Sequence, residues 1–387
     1  MRLKIATSVS MMILGLALAA CAPEDNSAEG IPSDPGPVNN KVSDDFSRQN
    51  MVITAACRPS TPGGADVDVD GWDAQSWRHV AHAFFRLPDS VPTSSFDDHA
   101  NVLAMLCNSG SRPPTASETS LIRSLFDRSF TKIAVTILDP ETRDTTVGYV
   151  SRDGQLTDLS GDLGFGGESE RYPALAPDGS TLWAIKGARL LSRPTSEGGQ
   201  PVDHPLGEFD SPDTIIMVGS KPYVVQANGA HLSPDGRRIQ VDVYSDLDSD
   251  NLIVDVPSQG SVVPQREVVN NRVQEIGIPV DGCESDAIGW IDDSKLLCGG
   301  PGGDDRFFVV DVSADSTPGP KILPESGNEN TGMIISPDGK RFAFASSKED
   351  SLRYYTCDTN PNSTPVQIQE TGDFATLGDN IVFIDWR

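Results

Sequence analysis

The stretch "GMIISPDGKRFAFASS", residues 332–347, decides the fold. A short apolar run meets Ser-Pro-Asp-Gly, then two cations, then a second apolar run. The turn has a mechanism: proline presets φ, aspartate hydrogen-bonds its own backbone, and glycine takes the position with φ > 0. It makes a tight link between two antiparallel strands. The pattern returns as "ALAPDGSTLWAI" (174–185) and "AHLSPDGRRIQVDV" (230–243). A worn copy, "IGWIDDSKLLCG" (288–299), has Ile291 for the proline and Asp293 for the glycine. The third residue after the glycine position is apolar each time: Leu182, Ile239, Leu296 and Phe342.

A second landmark follows the last three copies. Asp255, Asp311 and Asp358 lie 21, 20 and 21 residues after Pro234, Ile291 and Pro337, each closing an apolar or aromatic run. The first copy, at Pro177, has no such aspartate. Around these landmarks run short β-rich segments: "KIAVTIL" (132–138), "TVGYVS" (146–151), "IQVDVYS" (239–245), "NLIVDV" (251–256), "RFFVVDV" (306–312) and "IVFIDW" (381–386). Short strands separated by Gly, Pro, Asp and Ser clusters indicate an all-β architecture. A unit repeating every 40–60 residues, with two landmarks in register, selects a propeller over a sandwich, because one blade cannot bury both its faces alone. The turns are spaced by 57, 57 and 46 residues, and the wide intervals hold extra strands such as "TIIMVG" and "PYVVQ". About six blades are expected over 131–387, with five or seven also compatible. "IVFIDW" is expected to close the ring on the strands at 132–151.

The repeated Ser-Pro-Asp-Gly-[Lys/Arg] turn resembles the WD-like propeller repeat of TolB-type periplasmic proteins, also seen in propeller domains of prolyl-oligopeptidase-like peptidases. The resemblance covers about two-thirds of the chain. It implies a fold and is nearly silent on activity. Residues 51–130 do not match the N-terminal domain of TolB, so that family's role is not carried over.

Those residues read as a small helical domain. "DAQSWRHVAHAFFRL" (73–87) places Trp77, Val80, Ala81, Phe84 and Phe85 at helical spacing. "SSFDDHANVLAMLCNSG" (94–110) offers Ser95 as N-cap. "PTASETSLIRSLFDRSF" (114–130) offers Thr115 as N-cap with Glu118 three residues later, a capping-box spacing. Leu121, Ile122, Leu125 and Phe126 then share a face.

The N-terminus carries its own message. Arg2 and Lys4 precede "MMILGLALAA", an apolar run too short to span a bilayer, and then Cys21. "LAAC" resembles the bacterial lipoprotein signal, which implies cleavage before Cys21 and lipid on its sulfur. Ala22 after the cysteine implies, by that resemblance, the outer membrane if the cell is Gram-negative. Residues 1–20 are thus expected to be a signal peptide. Residues 21–50, rich in Pro, Gly, Ser, Asp and Asn, are expected to be a disordered tether.

Removing residues 1–20 takes away two cations and no acid, moving the formal charge from −26 to −28. So acidic a body does not suit nucleic acid or an anionic lipid surface. Export permits disulfides. The spacings suggest Cys57–Cys107 and Cys283–Cys298, with Cys357 left over.

No nucleophile elbow, P-loop or zincin motif occurs in the sequence. His79 and His82 stand i, i+3 on the expected helix, with His99 in the same segment; His204 and His231 lie far off in the propeller. A metal cluster of the first three competes with scattered surface histidines. "DVDVDGWDAQSW" (66–77) presents Asp66, Asp68, Asp70 and Gly71 in the order that opens an EF-hand loop, with Asp73 standing in for the missing glutamate. A calcium site is the candidate there, against a solvated acidic turn. "SDLDSDN" (245–251) offers Asp246, Asp248 and Asp250 as a weaker one. No catalytic residue is nominated. The expectation is a lipid-anchored cell-envelope protein whose propeller is a binding scaffold for an envelope protein or glycan. The alternative is a propeller enzyme, a lyase or glycoside hydrolase, acting at the central channel.

Overall fold

A computed structural model describes residues 42–387 apart from 61–63, 95–100, 109–113, 161–168, 197–198, 207–213, 219, 226–228, 245–248, 261, 264–265, 270–271, 276, 281–282, 284–286, 301–303, 314–317, 349–350, 369–373 and 375–380. Residues 1–41, which hold the expected signal peptide, Cys21 and most of the expected tether, lie outside the described residues, as do Ser95, His99, Asp246 and Asp248. Asp250 falls in a strand.

The chain begins with three strands, β1 (Met51–Pro59), β2 (Ala65–Asp73) and β3 (His79–Leu87). Two short helices follow, α1 (Val102–Cys107) and α2 (Ala116–Ser124). Then come β4 (Lys132–Leu138), β5 (Thr145–Ser151) and β6 (Leu156–Asp158). Next are β7 (Glu170–Leu175), β8 (Thr181–Lys186), β9 (Arg189–Pro194) and β10 (Val202–Pro205). A hairpin, β11 (Thr214–Val218) and β12 (Lys221–Val225), precedes β13 (Gly229–Leu232), β14 (Arg238–Tyr244) and β15 (Ser249–Asp255). After a second hairpin, β16 (Arg266–Val269) and β17 (Arg272–Glu275), comes β18 (Ile278–Pro279). The remainder is β19 (Ala287–Asp292), β20 (Lys295–Gly300), β21 (Asp304–Asp311), β22 (Pro318–Lys321), β23 (Glu329–Ile335), β24 (Arg341–Lys348), β25 (Ser351–Asp358), β26 (Val366–Gln367) and β27 (Ile381–Trp386).

These strands form a six-bladed β-propeller. The blades are β27-β1-β2-β3, β4-β5-β6, β7-β8-β9-β10, β13-β14-β15-β18, β19-β20-β21-β22 and β23-β24-β25-β26. The β11–β12 hairpin stands between the third and fourth blades. Its Ile215 and Val224 pack on blade 3, while Ile216, Tyr223 and Val225 pack on blade 4. The C-terminal β27 closes the ring, but on β1 rather than on the strands at 132–151.

The repeated turns join the first and second strands of their blades, and their chemistry is visible. Gly339 N–H donates to the Ser336 carbonyl at 2.8 Å, and Ser336 Oγ donates to Asp338 Oδ1 at 2.7 Å. Ser233, Asp235 and Gly236 repeat this arrangement in blade 4. The second landmark also has a cause. Asp255, Asp311 and Asp358 stand directly across from Arg238, Lys295 and Arg341, the cations that open each second strand. In blade 3 the equivalent pair is Thr181 and Pro194, so no aspartate is needed.

The helical domain expected over 51–130 is replaced by blade 1 and two short helices. In 79–87 the buried residues are Ala81, Ala83, Phe85 and Leu87, a period of two. The helical reading counted Trp77 and Val80, but Trp77 sits in a turn at φ 53°. The propeller therefore starts near residue 51, not 131. Residues 42–50 also belong to the body: Phe46 is buried, and Ser43 pairs with Ala81. The third helix holds as read, with a capping box between Thr115 and Glu118. Helix α1 is capped by Asn101. Both expected disulfides form, Cys57–Cys107 and Cys283–Cys298, leaving Cys357 free and buried.

Candidate functional site

Among the described residues, blade 2 has no regular inner strand. Its place is taken by α2, whose end reaches only a single bridge, Phe126 to Ile133. The sequence explains the choice: Ala116 to Ser124 carries a capping box and no β-branched run. One face of α2, with Leu121 and Ile122, packs into the core shared by blades 1 and 2. The other face, with Ala116, Thr119, Ser120 and Arg123, looks into the central channel.

Arg123 locks the helix there. Its Nε lies 2.9 Å from Asp385 Oδ2 on β27, and Arg387 Nε lies 2.9 Å from the same oxygen. Burial pushes the Asp385 pKa up, but the two guanidinium groups outweigh that and hold it below the usual carboxylate range. Both guanidinium groups also lie near the Phe130 ring, at 4.8 and 5.1 Å.

A cavity of about 620 Å³ remains between α2 and the C-terminal ends of the surrounding strands. Its wall is mostly apolar, with Met217, Ile288, Trp290, Ile335 and Ile384, and His231 among them. Burial pushes His231 down to about 4, and a bond to the Ala287 backbone opposes that only in part. Its Nε2 has no hydrogen-bond partner among the described residues. The sequence alone did not bring Arg123, Asp385, Arg387 and His231 together, since 262 residues separate the first pair. The one available signal was an arginine on an otherwise short-chained helix face.

The aspartates of 66–73 do not surround one ion. Asp66, Asp68 and Asp70 alternate along β2 with Val67 and Val69, which are fully buried. In an extended strand, residues i and i+2 are about 6.8 Å apart. Each carboxylate has its own partner: Asp66 faces Arg86 at 3.3 Å, Asp68 contacts Arg58, and Asp70 meets two histidines. Asp73 accepts from Ser76 N and Oγ in the following turn. The EF-hand reading therefore fails, because D-V-D-V-D is a strand pattern rather than a loop.

His79 and His82 do converge, though not on a helix. A bulge at Val80 breaks the register between Gly71–Ala81 and Trp72–His79. The extra residue turns both imidazoles to the Asp70 side. His82 Nδ1 donates to Asp70 Oδ1 at 2.8 Å, and His79 Nε2 lies 2.8 Å from the same oxygen without the alignment of a hydrogen bond. Burial pushes Asp70 up, but the two imidazoles hold it below the usual range. His82 is raised, chiefly by its bond to Asp70. His204 lies elsewhere, 3.0 Å from Ser192 Oγ.

No protein-family model matches the chain, and no curated protein matches it in sequence. Solved structures do. TolB from Acinetobacter baumannii is similar at 16% identity and a TM-score of 0.35, over 83% of this chain and 69% of that one. An oligogalacturonate lyase from Vibrio parahaemolyticus is similar at 12% and 0.35, over 84% and 75%. The β-propeller domain of the trilobed protease from Pyrococcus furiosus is similar at 11% and 0.35, over 84% and 82%.

Proposed function

We propose that the protein is a lipid-anchored component of the cell envelope whose propeller is a binding scaffold, with another envelope protein as ligand in preference to a glycan. The anchor is Cys21, and the outer membrane is its site in a Gram-negative cell. The observation that supports a scaffold is the helix in the channel. Helix α2 fills the place of an inner strand and is tied to β27 through Arg123 and Asp385. What is left is a mostly apolar cavity with a few hydroxyls, which suits an apolar side chain or chain end from a partner.

The test is crosslinking in intact cells from a photoreactive residue at Ser120, followed by capture. A single partner trapped by this chain and lost in Met217→Arg, with the melting temperature unchanged, supports the reading. Turnover of a polysaccharide, abolished by the same substitution, replaces it with the lyase or glycoside hydrolase alternative.

A further inference from the structure

We propose that Asp70, His79 and His82 form a binding site for a divalent transition-metal ion of the zinc class, on the face of blade 1 that turns towards blade 6. One ligand atom from each of the three residues falls within a cluster 4.8 Å across. Three ligands about 2.1 Å from a zinc ion at tetrahedral angles stand about 3.4 Å from one another. The observed separations run from 2.8 Å to that 4.8 Å limit, so an ion is accommodated by small rotations of the rings.

Three features go beyond a chance cluster. The bulge at Val80 places two imidazoles on one side of the strand, where a regular strand would put residues 79 and 82 on opposite faces. The His79 Nε2 atom is buried and lies 2.8 Å from Asp70 Oδ1 without being aligned on it, so no hydrogen bond within the described residues has to break for that nitrogen to take a metal. The surroundings hold the ligands in place. Trp72 stacks on His79 with ring centroids 4.8 Å apart, and its own Nε1 donates to Thr54 Oγ1 at 2.9 Å. His82 Nε2, on the far side of its ring, lies 3.7 Å from Asp68 Oδ1. That is beyond hydrogen-bond reach, and a small rotation of the ring would bring Asp68 in as the outer carboxylate that orients a metal-bound imidazole.

The donor set decides the metal. Two nitrogens and one carboxylate suit zinc, nickel or cobalt, whereas calcium and magnesium take oxygen ligands. Three protein ligands leave one position of a tetrahedron open. His82 is 41% exposed, so that position is reached from solvent.

The experiment uses the tag-free full chain in detergent, stripped with a chelator and titrated with Zn²⁺ at neutral pH by calorimetry. About one equivalent should bind at micromolar or tighter affinity, and Co²⁺ should give the intense visible absorption of a four-coordinate site. His79→Gln and His82→Gln should abolish binding, with circular dichroism melts in chelator showing that both remain folded. Asp68→Asn should weaken binding about tenfold while leaving the stoichiometry unchanged. Asp66→Asn, on the same strand face but paired with Arg86, should bind as the parent does. Absence of zinc uptake by the parent protein overturns the proposal. So does equal uptake by the parent and the two histidine variants, or displacement of zinc by millimolar calcium.

Discussion

Three turn glycines offer a graded test of how the blades meet at the channel rim. Gly179, Gly236 and Gly339 occupy the same position of the same turn, at φ of 68°, 70° and 68°. An alanine at any of them meets the same backbone strain, about 1 kcal/mol relative to glycine. What differs is the space for a methyl group. At Gly236 a Cβ meets nothing within 4 Å. At Gly179 it stands 3.2 Å from Asp127 Cβ, and Asp127 is held by bonds from Thr131 and Lys132 N–H. At Gly339 it would lie 2.0 Å from the Ile291 carbonyl oxygen and 2.8 Å from its carbon, near the end of β19 in the preceding blade. Backbone cannot rotate away as a side chain can, so two blades must separate. Overpacking of this kind costs about 1–3 kcal/mol beyond the strain.

The expected order of destabilisation is therefore Gly236→Ala, then Gly179→Ala, then Gly339→Ala. The first should lose about 1 kcal/mol. The last should lose about 3 kcal/mol or more. Urea midpoints followed by tryptophan fluorescence, at unchanged slope, read the difference directly. Equal losses in all three would show that only turn strain matters and that the rim turns do not bear on one another. A larger loss for Gly236→Ala than for Gly339→Ala would refute the packing.

His231 supplies a pH test. Its pKa is about 4 in the fold against 6.5 when free, so the unfolded chain binds more protons between those values. Stability is lost as pH falls through that window, by at most about 3 kcal/mol, and His231→Phe should flatten the urea-midpoint profile there. The free thiol of Cys357, pushed up to about 12 chiefly by burial, should resist alkylation at neutral pH. Unfolding without reductant should expose that thiol and no other among the described residues, where the remaining cysteines are paired. Detergent partitioning checks the anchor: Cys21→Ser should leave the membrane fraction, and retention at the parental level would remove lipidation from the account.

The blades were legible where one feature had one cause. Pro-Asp-Gly has a single structural use between apolar runs, and each strand-ending aspartate answers a cation across the ladder. Blade 1 was misread because its outermost strand, β3, is rich in alanine and phenylalanine, which satisfy helical and extended spacing equally. "HVAHAFFRL" puts apolar residues at i, i+3 and i+4 as well as at every second position. The neighbouring strand settles the choice, through eight residue pairs between β2 and β3, and no window of local sequence contains that information.

The Asp70 cluster shows how two such misreadings can conceal a correct juxtaposition. As a loop, D-x-D-x-D gathers carboxylates; as a helix, His79 and His82 share a face; neither element exists, and neither reading joins Asp70 to the histidines. The joining follows from strand pairing, which sets Asp70 across from His82, and from one extra residue at Val80, which brings His79 round. A bulge leaves its extra residue unpaired and costs ladder hydrogen bonds locally. Its presence beside a buried carboxylate is what turns two stray histidines and one member of an acidic run into a three-ligand site.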